Sequence, residues 1–200
     1  FSIELLPTTP TFLRMMSLYP NIEDHIPNSL KIISYGTERM DQHTLDKLTY
    51  KLPSVDFRQT YGMSELGILR IKSKSRNSLF MKISGEGIET KIVDKVLFIK
   101  AKNKMLGYLN SNSPFDNNDW YCTKDLVETD SDDFLKIIGR DSDVINIGGL
   151  KFMPSEVEIE CLKIPSVKHA KAKGIQNPFT GQHLEIFIEP DSKKNNYDLK

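Results

Sequence analysis

Up to about residue 75, short apolar runs alternate with stretches of helical spacing. Residues 2–6, 30–35 and 55–60 have the apolar content and length of strands. Between them, residues 10–18 read as a helix with Phe12, Met15 and Met16 on one side. Asp41 is placed to cap a second helix, on which Leu45, Leu48 and Leu52 recur at helical intervals. Glycine turns follow the second and third strands, at Gly36 and Gly62. Strand and helix in alternation predict a parallel α/β sheet, and such sheets bind ligands beyond the carboxyl ends of their strands.

The texture then changes. Residues 81–83, 89–93, 96–100 and 134–138 are short strand-like runs separated by glycine, lysine and Asn/Asp clusters. They predict antiparallel β-structure and a small barrel. Residues 111–119, rich in Asn, Ser, Asp and Pro, read as a surface loop. Beyond residue 140 the pattern shifts again. Residues 144–147 form a strand, Gly148-Gly149 a turn, and Pro154 the first turn of a helix carrying Val157, Cys161 and Ile164. Two strands follow, 167–173 and 184–189, the second with Leu184, Ile186 and Ile188 on one face. The fold class is therefore α/β followed by β-rich and α+β parts. The expected division is 1–140, itself α/β over 1–75 and β-rich over 76–140, then a small domain over 141–200.

Charge and composition narrow the function classes. Lysine plus arginine and aspartate plus glutamate each number 27, so no net field recruits nucleic acid or an anionic membrane. No apolar run approaches the roughly 18–20 residues of a membrane span. Cys122 and Cys161 have neither metal-ligand nor CxxC spacing, and a reducing, cytoplasmic setting is the simpler expectation. The opening Phe1-Ser2-Ile3 and the closing residues 195–200 read as cuts through a longer pattern.

Four clusters carry candidate chemistry. Ser34-Tyr35-Gly36-Thr37-Glu38 runs from a strand into a glycine turn, where backbone can approach a flat ligand; a plain tight turn explains it as well. Gln59-Thr60-Tyr61-Gly62-Met63-Ser64-Glu65 offers an aromatic ring for a base, a hydroxyl for phosphate and a carboxylate for magnesium. Its plain alternative is a helix start capped by Ser64. Trp120-Tyr121-Cys122-Thr123-Lys124-Asp125 brings to a strand end a carboxylate able to accept two ribose hydroxyls, or else a simple turn aspartate. Gly139-Arg140-Asp141-Ser142-Asp143, continuing to Gly149, is either a hinge with Arg140 facing ribose or phosphate, or a solvated linker. The four histidines are scattered without metal spacing.

Together and in this order, the clusters resemble the superfamily of AMP-forming adenylating enzymes: acyl- and aryl-CoA synthetases, firefly luciferase and peptide-synthetase adenylation domains. Leu5-Leu6-Pro7-Thr8 before a helix looks like that family's fourth core motif. Tyr61-Gly62-Met63-Ser64-Glu65 matches YGxTE with serine for threonine, and Gly107-Tyr108-Leu109-Asn110 resembles GYxN. Trp120 to Asp125 resembles WxxTGD, residues 139–149 resemble GRxxDxIxxxG, and residues 151–158 follow like the segment ending in PxEVE.

The resemblance implies a partial adenylating-enzyme fold: half of a parallel α/β sheet, a small β-barrel and the start of the small C-terminal domain. It implies activation of a small carboxylic acid by ATP as acyl-AMP, with magnesium, and transfer to coenzyme A or to the phosphopantetheine of an acyl carrier protein. It gives Gly36, Thr37, Glu38, Tyr61 and Gly62 to adenine, Ser64 to the α-phosphate, Glu65 to magnesium, Asp125 and Arg140 to ribose, and Asp141 and Ser142 to a hinge. Four departures stand beside it. The family's Ser/Thr/Gly-rich phosphate loop and its late lysine do not occur in these 200 residues, Lys124 replaces the glycine of TGD, and Ser142 occupies a hinge position usually Asp or Lys. The sequence thus reads as a fragment, inactive alone, of an acid–thiol ligase; the alternative is a non-catalytic nucleotide- or partner-binding module.

Overall fold

In the computed structural model, which describes residues 2–191, the chain divides between Ile137 and Ile138 into two compact units. The first opens with strand β1 (Leu5–Thr8) and helix α1 (Pro10–Leu18). Thr9 starts the helix: its backbone is extended, its hydroxyl accepts from the Phe12 amide at 3.3 Å, and Pro10 brings the first turn a preset φ and no orphaned N–H. Strand β2 (Ile32–Tyr35), helix α2 (Gln42–Lys51) and strand β3 (Asp56–Gln59) complete a three-stranded parallel sheet of order β1-β2-β3. Asp41 does cap α2, accepting from the Thr44 amide at 2.7 Å, and Leu45, Leu48 and Leu52 are buried.

Two local expectations shift. Pairing begins at Glu4, whose carbonyl accepts from Lys31 and Ile32, so β1 runs over Leu5–Thr8 rather than 2–6. On α1 the core face is Leu13 and Met16, while Phe12 and Met15 stand outward at 46% and 61% exposure. The i, i+3 spacing from Phe12 to Met15 is real, but the stripe through Pro10, Leu13 and Ser17 is the one the sheet covers.

A hairpin of β4 (Tyr61–Met63) and β5 (Gly67–Leu69) leads to β6 (Ile71–Ser73), β7 (Met81–Ile83), β8 (Ile88–Val93), β9 (Val96–Ala101), β10 (Tyr121–Thr129) and β11 (Leu135–Arg140). The last six form one sheet of order β6-β7-β11-β10-β9-β8. The expected barrel is instead an open sheet: among the described residues its end strands β6 and β8 do not pair with each other. Leu66 and Leu69 from the hairpin join Met81, Leu97, Ile99 and Val127 in this sheet's core, with Tyr61 and Met63 packed at its margin. The hairpin is thereby laid against the open sheet by burial of apolar surface.

In the second unit, β12 (Ile145–Ile147) and β13 (Leu150–Phe152) form a hairpin through Gly148 and Gly149, followed by α3 (Pro154–Leu162), β14 (Val167–Asn177) and β15 (Gly181–Pro190). The sheet order is β13-β12-β15-β14. Ile164, expected on the helix face, lies past its end and is exposed. Ile186 and Ile188 do share one face of β15 but are 42% and 51% exposed among the described residues. The run 195–200, read from sequence as a cut through a longer pattern, lies outside the described residues.

Candidate functional site

The carboxyl ends of β2 and β3 meet through a glycine. Thr60 donates its amide to the Tyr35 carbonyl at 2.7 Å and its hydroxyl to the same oxygen at 3.1 Å. Gly36 sits directly against Thr60, where any Cβ would collide. Burial pushes the Tyr35 phenol far above its ordinary value. Thr37 takes a left-handed φ of 69°, and its hydroxyl donates to the Gly36 carbonyl at 2.6 Å. Glu38 faces helix α1: it accepts from the Thr11 hydroxyl and pairs with Arg14 at 3.6 Å. Gly36 and Thr37 thus form the rim of the turn, with the Glu38 carboxylate committed to the helix.

The second cluster is a β-hairpin rather than a helix start. Ser64 and Glu65 occupy the turn between β4 and β5, so Ser64 caps no helix, and Gly62 lies within β4 rather than at a turn. A Cβ on Gly62 would stand 2.6 Å from the Gly67 carbonyl oxygen and 2.8 Å from the Ile68 Cα, so the close strand pairing needs a glycine there. Ser64 is exposed. Glu65 holds the following long loop at two points: its carbonyl accepts from the Met105 amide at 2.9 Å, and its carboxylate accepts from the Tyr108 hydroxyl. That bond to the Glu65 carboxylate is the main reason the Tyr108 phenol is raised from its ordinary value.

Asp125 comes from β10, whose inward positions Thr123, Asp125 and Val127 are all buried. Thr123 steadies the strand here, donating to the Leu97 carbonyl at 2.7 Å and accepting from the Asp125 amide at 3.0 Å. Between them Lys124 adopts a left-handed φ of 59° within an irregularity of the β9–β10 register. Its side chain is exposed, which leaves the carboxylate next to it on the opposite face of the strand. The Tyr61 hydroxyl donates to Asp125 Oδ2 at 2.6 Å, across 64 residues of chain. A buried carboxylate and an aromatic face are therefore side by side, the combination that suits a nucleoside: a ring to stack on a base and paired oxygens to accept sugar hydroxyls.

Arg140, Asp141 and Ser142 belong to the second unit. Arg140 is extended, and Asp141–Asp143 forms one 3₁₀ turn in which the Ser142 hydroxyl donates to Asp143 Oδ1 at 3.1 Å. All three are exposed. Two contacts escaped the sequence reading of these motif residues: the approach of Thr60 that makes Gly36 necessary, and the bond from Tyr108 to Glu65. Thr60 carried a signal in its place between strand and Tyr61, whereas the bond from Tyr108 spans 43 residues and had none.

Among the described residues no group of three or more His, Cys, Asp or Glu side chains is arranged to hold a metal ion, and no helix is long and apolar enough to cross a membrane. A shallow depression of about 420 Å³ lined by Asp46, Thr49, Tyr50, Arg76 and Asn77 includes none of the cluster residues.

No protein-family model matches the chain. It is 29% identical over 196 residues to an uncharacterised acyl–CoA ligase of Bacillus subtilis, covering 90% of this chain and 39% of that protein. It is also 29% identical over 195 residues to a 2-succinylbenzoate–CoA ligase of Bacillus licheniformis, covering 88% and 40%. The ATP-bound structure of MatB from Rhodopseudomonas palustris shares the fold, with a TM-score of 0.83 at 20% identity over 98% of this chain and 42% of that one. The chain spans about two fifths of the length of these curated relatives.

Proposed function

The chain belongs to the superfamily of AMP-forming adenylating enzymes, and on that premise we propose that it supplies the nucleotide-facing part of an acid–thiol ligase. In this reading a small carboxylic acid attacks the α-phosphate of ATP, giving acyl-AMP and pyrophosphate. The acyl group then passes to the thiol of coenzyme A or of a carrier protein's phosphopantetheine. The observation that carries the proposal is the Tyr61–Asp125 hydrogen bond at 2.6 Å, which joins two motif residues distant in sequence into one base-and-sugar surface.

Tyr61 stacks on adenine beside the Gly36–Thr37 rim, and Asp125 accepts the ribose hydroxyls. The Ser64 hydroxyl, exposed in the hairpin turn, reaches the α-phosphate. Arg140 is a second ribose donor, and Asp141 and Ser142 form the hinge. Glu65 offers one carboxylate to magnesium, an ion commonly shared between one or two carboxylates and substrate phosphates. When bound, that ion offsets the crowded phosphate charge. The setting proposed is cytoplasmic. A second reading, nucleotide binding without turnover, draws support from the departure at Lys124, a left-handed residue where the resembled motif has glycine.

Titration calorimetry with AMP and ATP tests the binding surface, and ATP–pyrophosphate exchange with a panel of small carboxylic acids tests the chemistry. Phosphoryl chemistry depends on positioned donors, and losing one commonly costs on the order of a hundredfold to a thousandfold in rate. Neither the phosphate loop nor the late lysine lies within these 200 residues, so exchange is expected from a chain that carries both and not from these residues alone. Binding without exchange in the longer chain would favour the non-catalytic reading. Absence of nucleotide binding would sink both.

A further inference from the structure

Tyr61 brings two separable groups to the site, a ring and a hydroxyl. The ring is half-buried at the margin of the open sheet's core, where it is held by Leu66, Leu69 and their neighbours. The hydroxyl points into that margin and donates to Asp125 Oδ2 at 2.6 Å. Asp125 is 8% exposed, so its carboxylate turns in a space that water reaches poorly. A hydrogen bond to a charged acceptor in such a place is strong and directional. The main chain beneath it is also fixed, by the Asp125 amide bond to Thr123 and the Thr123 bond to Leu97.

We propose that the Tyr61 hydroxyl is a positioning group for Asp125: it sets the plane of the carboxylate and so couples recognition of the base to recognition of the ribose hydroxyls. The inference rests on the nucleotide reading above and adds to it a division of labour within one side chain. The ring contributes affinity for any adenine nucleotide. The hydroxyl contributes selectivity for a sugar bearing both the 2′- and 3′-hydroxyls, and it acts through its bond to Asp125. Without it the carboxylate keeps its charge and its place on β10 but loses the hydrogen bond that Tyr61 donates to Oδ2.

The test compares AMP with 2′,3′-dideoxy-AMP as titrants on the wild-type chain, Tyr61→Phe, Asp125→Ala and the double variant, with thermal melts to verify folding. Tyr61→Phe keeps the ring, so affinity for the dideoxy nucleotide should stay within about twofold of wild type. Its preference for AMP over the dideoxy form should fall by about tenfold, the scale of one charge-assisted hydrogen bond. In the Asp125→Ala background, which leaves the hydroxyl no acceptor at that position, the same substitution should leave that preference unchanged. A preference equal in wild type and Tyr61→Phe overturns the inference and leaves the nucleotide reading standing. So does an equal loss of both nucleotides, which would assign the hydroxyl to packing. Failure of the wild-type chain to bind AMP overturns the nucleotide reading and the inference with it.

Discussion

A Cβ placed on Gly36 would stand 2.1 Å from the Thr60 hydroxyl oxygen and 2.8 Å from the Thr60 carbonyl oxygen. The first collision is with a side chain that can rotate, at the loss of its bond to Tyr35. The second is with backbone at the end of β3, held in register with β2 and unable to withdraw cheaply. Gly36→Ala should therefore destabilise the fold by about 1–3 kcal/mol, the usual range for overpacking. Thr60→Ala in the same chain should restore only part of the loss, because the carbonyl contact remains. Urea unfolding of the single and double variants decides it, and an alanine variant as stable as wild type would show that the turn has room to open.

Lys124 holds a left-handed conformation where the resembled motif has glycine. For an L-residue that conformation costs roughly 1–2 kcal/mol, offset in part by the greater chain entropy a glycine loses on folding. The net expectation for Lys124→Gly is a gain of about 0.5–1 kcal/mol. The exposed lysine side chain makes the substitution clean, since no core contact is removed with it. A rise in melting temperature without change in AMP affinity would mark Lys124 as a conformational cost alone. A fall in stability would refute the backbone argument.

Asp41 gives a pH prediction. Burial alone would push its carboxyl up, but the Thr44 amide and the Arg14 guanidinium, at 2.7 and 3.0 Å, hold it below the usual carboxylate range. A carboxyl depressed in the folded state stabilises above its unfolded pKa, about 4, and that contribution is lost as pH falls through the lower folded value. Asp41→Asn keeps an oxygen for the helix cap but removes the titration. The stability gap between wild type and variant should be present at neutral pH and shrink on acidification below about pH 4. Urea midpoints measured at several pH values test this; a gap constant with pH would mean that the charge contributes nothing.

What the sequence disclosed follows from the range over which each interaction acts. The parallel β–α–β start was legible because Thr9, Pro10, Asp41 and the leucines of α2 act within one or two turns of chain. The hairpin at Tyr61–Leu69 was not: its glycine and serine suit a helix cap equally well, and only packing of Leu66 and Leu69 on the open sheet chooses between them. The core face of α1 was missed for the same reason, since two apolar stripes compete and the sheet selects one. In the site, residue identities were readable from motif order. The pairings Tyr61–Asp125 and Gly36–Thr60 depend on where separate strands finally lie.

The bond from Tyr108 to Glu65 supports a last prediction. Residues 102–120 contain no regular strand or helix, and Leu106 and Leu109 are fully exposed within them. Two bonds tie this loop to the hairpin turn: the Tyr108 hydroxyl on the Glu65 carboxylate and the Met105 amide on the Glu65 carbonyl. With Leu106 and Leu109 exposed on either side of Tyr108, this part of the loop should open locally at low cost, and each tether should matter. Removing the hydroxyl in Tyr108→Phe leaves the Met105 amide bond intact in geometry but without its neighbouring tether, so its hydrogen exchange should quicken several-fold. Glu65→Gln keeps an acceptor but loses the charge, and bonds to ionised acceptors are roughly twice as strong as neutral ones. That variant should fall between wild type and Tyr108→Phe. The amides of Asp125 and Val127 in β10 serve as the internal reference and should not change, because they donate to the Thr123 hydroxyl and the Lys95 carbonyl rather than to the loop. Exchange at Met105 that is the same in all three chains would show that the loop is held by something other than Tyr108, and would remove the tyrosine from the account of how Glu65 is presented.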